Sequence, residues 1–284
     1  MLFKNQYYYF IAGLPDFSFD SMKLPFTTEE FRAILNEELK PADMRLINKY
    51  FLKHDNDNLL NLLQNKDSDF KVGGKLLRDE IMNVVAKVKE DLPVNKKEIP
   101  PYFEEYIRRW LSYENPHEGG RLWEDMLTSL YMDYGMEVKN GLMSGWFELN
   151  LNIGNVLAAI YARKYGLQVA KYIVGNNSVA KLIREHSNSR DFGISQELEY
   201  FDTLLRIAEE SDIYDREKKF DKFRWDWLEV NTVFDYFNIE NIFSYLCKLQ
   251  ILERWVSLNA EEGEKVFRKL INDLKNETKL PEGY

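Results

Sequence analysis

Residues 147–160 read FELNLNIGNVLAAI, and the stretch has two companions, YFLKHDNDNLLNLL at 50–63 and NIENIFSYL at 238–246. The shared pattern is Asp or Asn, two residues, Asn, two apolar residues, and one more apolar residue three positions later. The first polar position is Asp55, Asn152 and Asn238, and the second is Asn58, Asn155 and Asn241. The apolar positions are Leu59, Leu60 and Leu63, then Val156, Leu157 and Ile160, then Ile242, Phe243 and Leu246. Asp and Asn open helices because the side-chain oxygen accepts an orphan N–H of the first turn. A polar amide three residues later reaches back to the cap, much as in a capping box. Apolar residues one turn apart then form a buried face. Three copies at nearly even steps read as three diverged helical units, in which these six residues are the caps.

Around this pattern the chain is mostly α. Residues 7–12 are aromatic and β-branched, and fit either a short buried strand or the start of a core helix. Thr27 or Thr28, with Glu30 beyond it, reads as the cap of a helix to about Leu39. Pro41 opens the next helix, to about Leu52, and the first repeat helix is expected after Asp55. A helix is expected over 76–88, with Leu77, Ile81, Val84, Val85 and Val88 on one face. Residues 91–101, DLPVNKKEIPP, read as a linker that closes the first unit. A helix over about 102–112 follows, then a loop at 115–120 and a helical period from Leu122 to Val138. Asn140-Gly141 reads as a helix C-cap. Residues 186–193 form a loop, Leu198 to Ala208 a helix, 209–226 a charged helix face, and 261–274 a final helix. The expected organisation is a single domain of three pseudo-equivalent helical units, approximately 1–98, 99–193 and 194–284.

Composition sets the outer bounds. With 45% apolar and 14% aromatic residues the chain can bury a sizeable core. A net charge of -9 argues against nucleic acid as a partner, since phosphate binding needs a basic surface. No apolar run approaches the roughly 20 residues of a membrane span, and the first residues do not read as a signal peptide. One cysteine, Cys247, leaves no internal disulfide and fits a reducing cytosol; its apolar surroundings mark it as a small core residue.

Catalytic motifs are scarce. His54, His117 and His186 have no His or Cys at metal-ligand spacing. Asp55-x-Asp57 begins like a calcium loop, but Leu59 stands at the third ligand position and the glycine is missing. Val72-Gly73-Gly74-Lys75 lacks phosphate-loop spacing. Glu148 and Glu229 stand beside tryptophans in matching segments, Trp146-Phe147-Glu148-Leu149-Asn150 and Trp227-Leu228-Glu229-Val230-Asn231. Such a pair suits acid–base hydrolysis; the structural alternative is a carboxylate held by a tryptophan N–H or a neighbouring cation. No catalytic residue, metal ligand or cofactor site is assigned.

The three [Asp/Asn]-x-x-Asn units resemble the C subunit of V/A-type ATPases, the counterpart of the d subunit in the eukaryotic pump. The opening, YYYFIAGLPDFSFDSMKLPF at 7–26, is similar to that of an uncharacterised bacterial family encoded among V-type ATPase genes. The resemblance implies a funnel of three helical units in the central stalk, a non-catalytic rotor subunit joining the shaft to the membrane rotor ring. It implies shaft subunits and ring as partners, and a cytoplasmic place peripheral to the membrane, held by protein contacts. Two departures stand out: Gly13-Leu14-Pro15 interrupts an opening that carries no arginine, and residues 249–255, LQILERW, keep only a loose echo of the family's last helix. Two readings from other classes stand beside it, a helical enzyme with an acidic site around Glu148 and Glu229, and a free-standing helical adaptor.

Overall fold

The computed structural model describes residues 5–95, 99–113, 120–258 and 271. Among these residues there are eleven α-helices and no strand. In chain order they are α1 (Tyr8–Ala12), α2 (Thr28–Glu38), α3 (Pro41–Gln64), α4 (Arg78–Lys89), α5 (Pro101–Ser112), α6 (Gly120–Met136), α7 (Gly141–Lys164), α8 (Ser178–Glu185), α9 (Phe201–Ala208), α10 (Ile213–Asn231) and α11 (Ile239–Ser257), with a 3-10 turn at Val169–Tyr172. The helix expected at 261–274 lies, apart from residue 271, outside the described residues, as do His117 and nearly all of the loop around it.

The chain divides into two compact units rather than three consecutive ones. One is Met1–Lys40 together with Thr203–Tyr284; the other is Pro41–Asp202. The proline-bearing stretch 91–101 lies within the second of these. It joins α4 to α5, which lie against each other inside the second unit.

That unit is built on aromatic helix faces. In α5, Phe103, Tyr106, Ile107 and Trp110 recur at one-turn spacing and all are buried, while Pro101 starts the helix where its missing N–H is no loss. They join Leu59, Ile81, Val84, Trp123, Leu127, Tyr131 and Phe147 in one cluster. Burying each large side chain contributes about 1.5–3 kcal/mol. α6 and α7 pack closely because Gly135 has no side chain: a Cβ there would fall 2.2 Å from the Phe147 ring. Asn140, expected to end the preceding helix, instead starts α7, accepting a hydrogen bond from the Met143 N–H at 3.0 Å. Asparagine is among the best N-caps, and here that preference wins over the Asn-Gly stop signal.

In the other unit, α2 opens with the expected capping box. Thr27 Oγ1 accepts from the Glu30 N–H at 3.1 Å, and Glu30 accepts from the Thr27 N–H at 2.8 Å. Phe31 is fully buried, ringed by Phe10, Phe26 and Tyr245. Phe17 and Phe19 meet the Trp225 ring edge-on. Residues 8–12 form a short helix none of whose residues is buried, and Tyr9 is 97% exposed.

Candidate functional site

The repeated asparagines are internal ties, and most of them are not caps. α3 runs unbroken from Pro41 to Gln64, so Asp55 and Asn58 lie deep within it. Asn152 and Asn155 lie likewise inside α7. Of the six, only Asn238 is a cap: it precedes α11 and accepts from the Asn241 N–H at 3.3 Å. Mid-helix Asp and Asn are poor helix formers because they compete with the backbone for its hydrogen bonds. Here tertiary partners occupy them.

Asn58 clamps one residue of the loop after α3: its Nδ2 donates to the Lys71 carbonyl at 2.9 Å and its Oδ1 accepts from the Lys71 N–H at 2.8 Å. Asn155 does the same after α7, with Val174 carbonyl and N–H both at 2.8 Å. In each case a side-chain amide satisfies both main-chain groups of one residue, as a neighbouring strand would.

The first polar position of each pair fastens the next helix. Asp55, fully buried, accepts from the N–H groups of Lys75 at 2.9 Å and Leu76 at 2.8 Å, just before α4. Asn152 accepts from Asn177 Nδ2 at 2.8 Å, and Asn177 caps α8. Each loop turns at a positive-φ glycine, Gly73 or Gly175. An arginine of the following helix ties down its carbonyls: Arg78 holds those of Lys66 and Ser68, and Arg184 those of Ile173 and Gly175. Gly74 is required for another reason. A Cβ there would fall 2.3 Å from Asp55 Oδ1.

The third copy differs in place but shares a detail. In α7, Asn150 Nδ2 donates to the Trp146 carbonyl at 2.8 Å; in α10, Asn231 Nδ2 donates to the Trp227 carbonyl at 2.8 Å. α7 then continues through Asn152 and Asn155, whereas α10 stops and residues 232–238 intervene before α11. Asn241 therefore lies in the first turn of a helix. It lines a cleft of about 150 Å³ together with Asp16, Phe17, Thr232, Ser244, Tyr245 and Lys248. Burial and then the nearby Asp16 push the Tyr245 phenol up to about 12, so it stays protonated and donates to the Pro15 carbonyl at 3.0 Å.

The two carboxylates considered for acid–base chemistry belong to different units. Glu148 is exposed on α7. Glu229 accepts from Trp225 Nε1 at 2.9 Å and lies 3.2 Å from Lys248 Nζ, so it is the carboxylate held by a tryptophan N–H and a cation. Burial raises its pKa, but the Trp225 N–H and Lys248 outweigh that and leave it below its ordinary value. Asp221 is a buried acid of the same unit as Glu229. It accepts from Arg224 at 2.9 Å, Arg254 at 3.1 Å and Trp255 Nε1 at 3.0 Å. Burial outweighs the two arginines and raises it above the ordinary carboxylate value. Cys247 is fully buried, as its apolar setting suggested. Among the described residues no group of three or more His, Cys, Asp or Glu could hold a metal ion, and no helix is long and apolar enough to cross a membrane.

Residues 4–278 match the family model described as Protein of unknown function (DUF2764), and the chain belongs to that family. No curated protein and no solved structure matches the chain.

Proposed function

We propose that this DUF2764 chain is a non-catalytic rotor component of a V-type ATPase, built from three related helical units, that takes the place of the C subunit and links the central shaft to the membrane rotor ring. The observation that carries the reading is the shared construction of α3 and α7. Each is a long helix of 24 residues that clamps its own following loop through a buried Asn and fastens the next helix through the Asp or Asn one turn earlier. The Trp227–Asn231 echo in α10 supports a third unit of the same ancestry, interrupted at 232–238.

Such a part works by stiffness. Torque passes through packed helices whose interiors are as dense as organic crystals, and side-chain ties keep loops from yielding when helices are pulled. The role needs no bond chemistry and no cofactor. It places the chain in the cytoplasm, peripheral to the membrane through protein contacts, with an acidic surface that has no use for nucleic acid.

The test is co-purification. The tagged chain, expressed at native level, should come off detergent-treated membranes in fixed proportion with shaft subunits and rotor ring, and its gene should lie among those of the pump. Recovery of the chain alone, from a genome context without ATPase genes, would sink the rotor reading and favour an adaptor acting elsewhere.

A further inference from the structure

We propose that the cleft at the start of α11 is a binding site for an extended segment of another protein chain, with Asn241 holding the main chain of one of its residues. The inference does not depend on the rotor reading. It rests on what the same asparagine does elsewhere in this molecule. Asn58 and Asn155 each engage the N–H and the carbonyl of one loop residue. Asn241 occupies the same place in the sequence pattern, yet its amide has no partner among the described residues, and it lines an open cleft of about 150 Å³.

The helix that follows Asn241 does not fill the cleft as the loops do in the other two cases. Asn58 and Asn155 lie toward the C-terminal ends of α3 and α7, so the loop that follows passes back over them. From Asn241, α11 runs on to Ser257, carrying the chain about 24 Å away at 1.5 Å per residue.

A second observation points to a missing ligand. Ser244, one turn beyond Asn241 on the cleft wall, is 3% exposed, and its hydroxyl has no hydrogen-bond partner among the described residues. Buried polar groups in folded proteins are almost always paired, and Ser244 is an exception on the wall of this cleft.

The chemistry also says what kind of occupant fits. Lys248 is already engaged with Glu229 and lies over the Trp225 ring, so the cleft offers no spare cation for a phosphate or carboxylate. The Asn241 amide offers a donor and an acceptor that complement a peptide unit, and the exposed Asp16 carboxylate at the rim adds an acceptor for a further N–H of the segment. Thr232 on the wall leads into Val233, Phe234 and Tyr236, which are 55%, 86% and 63% exposed and would be covered by apolar side chains of the incoming segment. Main-chain hydrogen bonds then supply affinity and side-chain pockets supply preference, as in strand-addition binding.

The test uses a randomised short-peptide library displayed on phage and panned on the full chain, with selected peptides synthesised and titrated by fluorescence anisotropy. Peptides with apolar, strand-forming sequences should be enriched. Asn241→Ala, which unfolds at the wild-type midpoint, should bind them about 30-fold more weakly, the effect of losing two hydrogen bonds together. N-methylation of the peptide should cause a comparable loss at one backbone nitrogen and little at its neighbours. This second reading is independent of how the variant folds. Failure to enrich any peptide, or selected peptides that bind Asn241→Ala as tightly as wild type, overturns the proposal.

Discussion

Replacing Asn155 by alanine removes both hydrogen bonds to Val174, each 2.8 Å long, and leaves that residue's N–H and carbonyl without the amide that satisfies them. An abandoned polar group costs about 1–3 kcal/mol. Val174 is half-buried, so water can partly replace the amide and the lower half of that range applies to each group. The expected loss is therefore about 2–4 kcal/mol, or a melting temperature lower by about 4–16 °C for a body of this size. Calorimetry reads the whole effect. Hydrogen exchange reads the local one: the Val174 amide should lose its protection in Asn155→Ala while amides of the α5 core keep theirs. Asn155→Asp sharpens the case. It retains an acceptor for the Val174 N–H but sets a second acceptor against the Val174 carbonyl. That arrangement disfavours the charged form and raises its folded pKa above the unfolded one, so the variant's deficit should shrink as pH falls through the folded pKa. Asn241→Ala is the control, since its amide has no partner among the described residues, and it should cost less than about 0.5 kcal/mol. Equal costs at positions 155 and 241, or unchanged protection at Val174, would refute the distinction between closed and open ties.

Gly74→Ala should destabilise by about 3 kcal/mol, because the new Cβ displaces the Asp55 carboxylate from two backbone N–H groups; in an Asp55→Ala background the same change should cost far less, a coupling read by a double-mutant cycle. Thr27→Ala should cost about 1 kcal/mol by urea titration, through loss of the α2 cap. Asp221 gives a pH signature. Its folded pKa is raised, so the folded state binds the proton more tightly, and stability from this group increases as pH falls from neutral through the folded pKa toward the unfolded one. The stability difference between wild type and Asp221→Asn should move in favour of wild type over that interval, and a difference that stays flat or moves the other way shows that the two arginines outweigh burial.

Local signals carry the readable part of the fold. The Thr27–Glu30 box, the amphipathic face of α5 and the glycine turns at Gly73 and Gly175 depend on residues a few positions apart. The repeated asparagines are visible as a pattern, but their work is not, because their partners stand 13 and 19 residues away across a loop. A polar residue inside a helix looks like a boundary until its tertiary partner is known, so α3 reads as two helices and its interior Asp and Asn as caps. The division into units is equally hidden. Nothing local reports that residues up to Lys40 pack with those after Thr203. The cleft at Asn241 has no local signal either, and stands out only against the closed ties at Asn58 and Asn155.

The discontinuous unit has a consequence for biosynthesis. Its first part, with Phe10, Phe26 and Phe31, leaves the ribosome well before the Tyr245 ring that completes their cluster. All of Pro41–Asp202 must be translated in between, which takes roughly 10–30 s at ordinary elongation rates. During that interval the intervening body has its own core residues in hand and is free to fold, while the aromatic leader waits uncovered. A nascent chain stalled between these two points should therefore recruit hydrophobic-binding chaperones at its leading end, and release them once α11 has emerged.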